Sequence, residues 1–521
     1  MSMFDGNFRQ GSSASRTRPH GNLGVLRLAV LLMFAVLVAR LVNMQIVHGE
    51  DYANRSRDNY ISQTNILPPR GLIYDRNGEP LVRNIGIYNA VITPRFLPDA
   101  TDLRDQIYLW IEESLKVPAL QVQAMVQDAE KDDRVDAPIT VKRYLSPEEA
   151  LTLEEAAIDM PGLSLSISPG REYLGGDAFS HILGYIGLQD PGQVAELRRK
   201  GYAFNEPIGK AGVESRYESE LRGEIGYASN EQDAYGNLIS VLESTEAEPG
   251  KSLRLSIDGG LQNYITELLQ DSMGEAYTAA AVVMDAKTGE LYSIVSIPTY
   301  DNNMYSKPDL YSEELERMAK DDVRKPFLNK ALTAEAPGST FKLITAAAAL
   351  NEGLVTPETG RQVDSRILAI RGENGETYLL YDWATHGWVN LTRGIARSSN
   401  IYFYMASCGI YPDTPGLGKD PYESAITLAH YARMFGLGKT TGLDVNSGEM
   451  AGVVPDPEYK KRAYSGPEFN PWDREWYYAD TCFMGIGQQD VKASPLQIAR
   501  MTASVANGGY LLTPHVVTDI L

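Results

Sequence analysis

Two short patterns in the chain could do covalent chemistry. The first is Pro337-Gly338-Ser339-Thr340-Phe341-Lys342, which runs straight into the apolar stretch LITAAAALNEG. A Pro-Gly pair makes a turn, and the Ala-rich text after it predicts a helix that stops at Asn351-Glu352-Gly353. Ser339 then lies at a helix N-terminus with Lys342 one turn later, and an i,i+3 pair shares a face. A serine hydroxyl becomes a useful nucleophile when a base lies within hydrogen-bond reach. Lysine can be that base only if its pKa is lowered. The positive end of a helix dipole and burial beside an apolar helix both push that way. The spacing S-x-x-K carries little weight alone, since about one or two chance matches are expected in a chain this long. The plainer reading makes Ser339 a helix N-cap and Lys342 a surface lysine. Against it stand Leu343, Ile344 and four alanines, too apolar for a solvated helix.

The second pattern is Ser398-Ser399-Asn400, between GIAR and IYFYMAS, in a predicted helix–helix turn. A hydroxyl and a carboxamide two residues apart can point into one cleft. The serine can relay a proton to a leaving amine, and the amide can hold a peptide carbonyl or the lysine. The plainer reading is an N-cap for a helix over 401–407. A third string, Lys287-Thr288-Gly289, reads as turn chemistry between two alternating strands.

The elements that must position these residues begin near Leu253. LRLSID leads to a helix, LQNYITELLQDSMGEA, then AAVVMD and ELYSIVSIP alternate around AKTG as an antiparallel hairpin. Apolar helical stretches follow at 341–351, 395–407 and 496–506, giving a mixed domain with helices layered on an antiparallel sheet. Upstream, residues 60–100 alternate, and Asn77-Gly78 between GLIYD and PLVRNIGIYNAVI predicts a hairpin. Residues 102–130 and 209–226 read as helices, another starts at Ser146 with Glu149 completing a capping box, and LSLSISP reads as a strand. The acidic, Pro/Gly-bearing stretch Glu243 to Lys251 reads as an interdomain joint.

At the N-terminus an apolar stretch runs from Leu23 to Val47, with Arg27 and Arg40 bracketing its centre. At 1.5 Å per residue it can cross a bilayer of ~30 Å if both arginines snorkel or face a partner. A cleaved secretory signal is the alternative, but no small-x-small site closes the stretch. Arg9, Arg16 and Arg18 ahead of it predict a cytoplasmic tail and an extracytoplasmic body. The chain has 521 residues and a net charge of -20, with 48 basic against 68 acidic side chains, which argues against nucleic acid as a partner. Two cysteines exclude a disulfide-dense scaffold and a cysteine-rich metal site. At 74 positions apart, Cys408 and Cys482 read as two buried free thiols. Six histidines without H-E-x-x-H make a zinc peptidase a poor reading.

S-x-x-K followed at a distance by S-x-N resembles the active site of penicillin-binding proteins and serine β-lactamases. RGLIYDRNG at 70–78, REYLGGDAFSHILGYIG at 171–187 and GKAGVESRYESELRG at 209–223 are similar to the non-catalytic pedestal of class B penicillin-binding proteins. PGKSLRLSIDGGLQ at 249–262 and MGIGQQDVKASPLQIARMTASVANGG at 484–509 resemble segments of their transpeptidase domain. SSNIYFY and WYYADTCFMGIGQQ look most like the elongation type, with division and sporulation relatives as near alternatives.

The resemblance implies an α+β multidomain chain: a tail over 1–22, a single transmembrane anchor over 23–47, a β-rich pedestal over 48–250, and a transpeptidase domain over 251–521. It implies a peptidoglycan D,D-transpeptidase that cross-links D-Ala-D-Ala stem peptides, is acylated by β-lactams, needs no metal or cofactor, and works beside a SEDS-type membrane glycosyltransferase. Ser339 would be the nucleophile, Lys342 the base, and Ser398 and Asn400 would assist proton transfer and positioning. A β-lactamase or carboxypeptidase would share both motifs, but a β-lactamase needs no pedestal. The family's third motif, K-T-G or K-S-G, should follow S-x-N, and nothing after Asn400 fits; Lys439-Thr440-Thr441-Gly442 has one residue too many. The apolar end, VVTDIL, reads as the start of a strand, so the transpeptidase domain is expected to be incomplete here. A scaffold that binds and activates the glycosyltransferase is the alternative.

Overall fold

A computed structural model describes residues 22–48, 61–132, 134–135, 137–203, 206–232, 238–371, 375, 377–410, 414–446 and 448–521. The chain divides into two compact units, one of residues 1–64 with 227–245, the other of 65–226 with 246–521. In the first, helix Asn22–Val42 continues through a wider turn, Asn43–Val47. Arg27–Val47 is 21 residues of mean hydropathy 2.2, long and apolar enough to cross a membrane, with its side chains exposed. The basic segment ahead of it lies outside the described residues. Strands Ile61–Ile66, Gly226–Gln232 and Leu238–Thr245 form a three-stranded sheet. The first third of the expected joint at 243–251, residues 243–245, is therefore strand. The rest is pinned by backbone pairs: Glu224 with Glu248, Gly250 to Pro69, and Lys251 to Glu220.

In the second unit a six-stranded sheet runs in the order Val517–Ile520, Leu253–Leu255, Ile73–Tyr74, Pro80–Ile92, Ile139–Lys142, with Leu163–Tyr173 also paired to Pro80–Ile92. The Asn77-Gly78 hairpin is present. Gly78 takes φ +87°, where a Cβ would be strained, and the buried Asp75 carboxylate accepts from the amides of Asn77 (2.8 Å), Glu79 (2.9 Å) and Gly259 (3.1 Å). Leu253 pairs with Ile73 in parallel and with Ile520 antiparallel, so first and last strands of the C-terminal half continue the sheet of the N-terminal half.

Helices Thr101–Leu115, Ala119–Lys131 and Pro147–Ala157 cover this sheet through Ile107, Ile111, Val122, Val126 and Leu153, which meet Ile92 and Leu163. Ser146 and Glu149 form the expected capping box. The single helix expected over 102–130 is two, because Lys116 caps the first at φ +61° and Pro118, with no N–H, opens the second. The helix expected over 209–226 is also broken, into Gly212–Arg216 and Glu218–Leu221 between short strands. Its glutamates are drawn inward instead. Glu214, fully buried, accepts from Arg171 Nε (2.8 Å) and Arg70 Nε (2.7 Å), and Glu218 accepts from Arg70 Nη2 (2.6 Å). Two guanidiniums on one buried carboxylate satisfy charges that an isolated group could not bear there.

The core of the C-terminal half surrounds helix Lys342–Asn351. Phe341, Ile344, Ala348 and Ala349 pack with Ile401 and Phe403 of helix Asn400–Ser407, Leu428 and Ala432 of helix Pro421–Met434, and Met484 of helix Tyr478–Met484. Here the free-thiol reading fails. Cys408 and Cys482 form a disulfide, with Cα atoms 5.0 Å apart. Separation along the chain conceals that the two helices carrying them lie side by side.

Candidate active site

The turn before Ser339 is made by Gly338, at φ +57°, and the chain then tightens into the 3-10 turn Gly338–Phe341 before the helix begins at Lys342. Gly338 N–H donates to the Gly487 carbonyl at 2.9 Å. The contact is so close that a Cβ on Gly487 would stand 2.2 Å from Gly338 O, so the MGIGQQ segment holds the nucleophile turn in place. Ser339 faces solvent, whereas Lys342 keeps only 2% of its surface.

Lys342 Nζ reaches inward to the Ser398-Ser399-Asn400 turn. It donates to the Ser398 carbonyl (2.8 Å), to Ser398 Oγ (3.0 Å) and to Asn400 Oδ1 (2.7 Å). The Phe403 ring lies 5.6 Å away. Burial pushes the Lys342 pKa down to about 8, against the Asp382 carboxylate, whose charge raises it. The N-cap duty in this turn falls to Ser399, whose Oγ accepts from Tyr402 N–H, leaving Ser398 and Asn400 for the lysine. Asn400 Nδ2 donates to the Tyr381 carbonyl at 3.2 Å. Ser398 sits at φ +53°, unusual for a residue with a Cβ.

Three of the four expected site residues, Lys342, Ser398 and Asn400, are thus joined by direct hydrogen bonds. Ser339 stands one helical turn from Lys342 at the mouth, and among the described residues no hydrogen bond joins their side chains. Neither plainer reading fits: Ser339 caps nothing, and Lys342 is not a surface lysine. Lys287-Thr288-Gly289 is a hairpin turn as expected. The amides of Lys287 and Thr288 donate to Asp285 Oδ1 at 2.7 and 3.0 Å, and Gly289 takes φ +87°. The residue that sequence reasoning missed is Asp382. Its carboxylate, buried behind the turn, accepts from Ser399 Oγ (2.8 Å) and the Ile401 amide (2.9 Å). No spacing rule marks it, because its partners are fixed by the folded turn.

A penicillin-binding protein dimerisation domain matches residues 65–255, and a penicillin-binding protein transpeptidase domain matches residues 279–521. The peptidoglycan D,D-transpeptidase MrdA of Haemophilus influenzae is 32% identical over 499 residues, covering 95% of this chain and 71% of the relative. The chain belongs to the penicillin-binding protein family. Among solved structures, this penicillin-binding protein shares its fold with Helicobacter pylori PBP2 in complex with MreC, at TM-score 0.68 and 24% identity, covering 88% of this chain and 79% of that one. A chain from a peptidoglycan synthase complex that coordinates polymerization and crosslinking matches at TM-score 0.64 and 29% identity, covering 96% and 80%. Ser339, Lys342, Ser398 and Asn400 all lie in the transpeptidase half of the penicillin-binding protein.

Proposed function

We propose that this peptidoglycan D,D-transpeptidase works through Ser339 as nucleophile and Lys342 as general base. Lys342 takes the hydroxyl proton while Ser339 Oγ bonds to the carbonyl carbon of the D-Ala–D-Ala peptide link. The C–N bond breaks, Ser398 passes a proton to the leaving amine, and D-alanine departs. An amine from a neighbouring stem then attacks the ester, forming the cross-link and returning the serine. Asn400 holds the lysine and the substrate amide, and the Ser339 amide supplies one oxyanion donor. The observation that carries this reading is the buried lysine, its ammonium gripped by Ser398 and Asn400 and its pKa lowered to about 8. β-Lactams would acylate the same serine.

In this reading residues 23–47 anchor the chain in the cytoplasmic membrane, 48–250 form the pedestal, 251–521 catalyse outside the cytoplasm, and the protein serves cell elongation with a SEDS-type glycosyltransferase. The relative solved within a peptidoglycan synthase complex that coordinates polymerization and crosslinking supports a partner of that kind. Labelling with a fluorescent penicillin tests the site. A protein with its C-terminal strands present should label and its Ser339→Ala variant should not; labelling that survives in Ser339→Ala refutes the assignment.

A further inference from the structure

The turn at Ser398–Asn400 has two faces. Ser398 and Asn400 point forward to Lys342 Nζ, while the residues that alternate with them, Ser399 and Ile401, point backward to one carboxylate. We propose that Asp382 is a positioning residue of the acylation site: its buried carboxylate clamps the back of this turn and thereby holds the front against Lys342. The inference rests on the site assignment above.

Hydrogen bonds fill the carboxylate, among them one from the Asn400 amide. Oδ2 accepts from Ser399 Oγ (2.8 Å) and Ile401 N–H (2.9 Å), and Oδ1 accepts from Trp383 N–H (2.9 Å) with His386 Nε2 at 3.2 Å. Asp382 is itself fixed, donating its amide to the Arg366 carbonyl at 2.8 Å. Its charge stands at the N-terminus of helix Asn400–Ser407, where negative charge is favoured. The clamp matters because Ser398 is held at φ +53°, a region that a side chain with a Cβ leaves when nothing restrains it. Releasing Ser399 and Ile401 would let Ser398 relax and withdraw two of the three acceptors from Lys342. The carboxylate also acts through space, since the negative charge favours the ammonium form of Lys342. The other titratable groups at this place are His386 on the same segment and Tyr402 and Tyr404 on the Asn400 helix, with Arg361 over the Tyr402 ring at 6.0 Å.

The test compares fluorescent-penicillin acylation rates across pH for the full chain and for Asp382→Asn, Asp382→Glu and Ser399→Ala, with Ser339→Ala as control. Asp382→Asn puts an N–H donor where an acceptor is required. It should slow acylation about 10²-fold, the cost of small misplacement in a reacting constellation. It should also move the acid limb of the profile to lower pH, because loss of the charge eases deprotonation of the lysine. Asp382→Glu and Ser399→Ala should slow acylation and leave the limb in place, since the charge remains. A merely structural role would lower the amount of folded protein and not move the limb. A lysine-selective NMR titration of Lys342 reads the same shift without acylation, and so stands if the wild type takes no label. Wild-type rate and wild-type limb in folded Asp382→Asn, or an unshifted Lys342 titration, overturn the proposal. Labelling that persists in Ser339→Ala overturns the site assignment instead.

Discussion

Replacing Lys342 with Met removes the base while keeping most of the side chain's volume. In the wild type, a pKa of about 8 leaves roughly one lysine in ten neutral at pH 7, about 250 times more than an ordinary lysine of pKa ~10.4 would supply. The acylation rate should therefore rise about tenfold per pH unit between pH 6 and 7.5, then flatten above pH 8. Lys342→Met should lose that limb and at least ~10² of the rate, as general-base catalysis typically contributes that much. Stability carries an independent signature. The folded pKa lies below the unfolded one, so the native state binds fewer protons between pH 8 and ~10.4, and stability should rise across that window. Below pH 8 the buried ammonium costs the fold roughly 3 kcal/mol at ~1.4 kcal/mol per unit. The Met variant escapes that cost but leaves the Ser398 and Asn400 acceptors without their donor, at ~1 kcal/mol or more each. The two terms nearly offset, so its melting temperature at pH 7 should stay within a few degrees of wild type. Stopped-flow acylation from pH 5.5 to 9.5 and thermal melts over the same range make the measurement. A flat wild-type profile through pH 6–8, or a Met variant acylated at the wild-type rate, would refute the reasoning.

Glu214→Gln should cost the fold about 3–5 kcal/mol, because Arg171 and Arg70 are left buried without their carboxylate, and calorimetry should record it. Burial alone would raise the Glu214 pKa, but Arg171 and Arg70 more than offset it and hold it below the usual range. Its stabilisation is thus complete above the unfolded value of ~4.3 and lost as pH falls through the lower folded value. The Cys408–Cys482 bond closes a loop of 74 positions, so reduction or Cys482→Ala should lower stability by up to ~4 kcal/mol, read from urea unfolding with and without reductant. Asp75→Ala strips the amides of Asn77, Glu79 and Gly259 of their acceptor and should cost a few kcal/mol. Its folded fraction should still acylate at the wild-type rate; a loss of orders of magnitude in folded protein would place Asp75 in the chemistry.

The apolar text after Lys342 announced its burial, because Leu343, Ile344 and four alanines have nowhere to go but a core. The Ser398 turn was equally readable from the two helical patterns that flank it. Asp382 was not, since a carboxylate serving amides across a folded turn follows no periodicity. The disulfide was hidden for a related reason: two cysteines far apart along the chain meet only after helices Asn400–Ser407 and Tyr478–Met484 pack. Residues 209–226 misled because Glu214 and Glu218 look like a solvated helical face until Arg70, far upstream, is placed beside them. The break in 102–130 was legible in Pro118. The joint at 243–251 was read from composition, which reports turn-forming residues and not the neighbouring strands that take up their backbone groups.

The ladder from Pro80–Ile92 through Ile73–Tyr74 and Leu253–Leu255 to Val517–Ile520 works mechanically like a welded seam. Shear between the strands around Pro80–Ile92 and those around Leu253 would have to strip the pairs of Leu253 with Ile73 and Ile520. A load on the helices over Pro80–Ile92 is therefore resisted by backbone hydrogen bonds across the ladder.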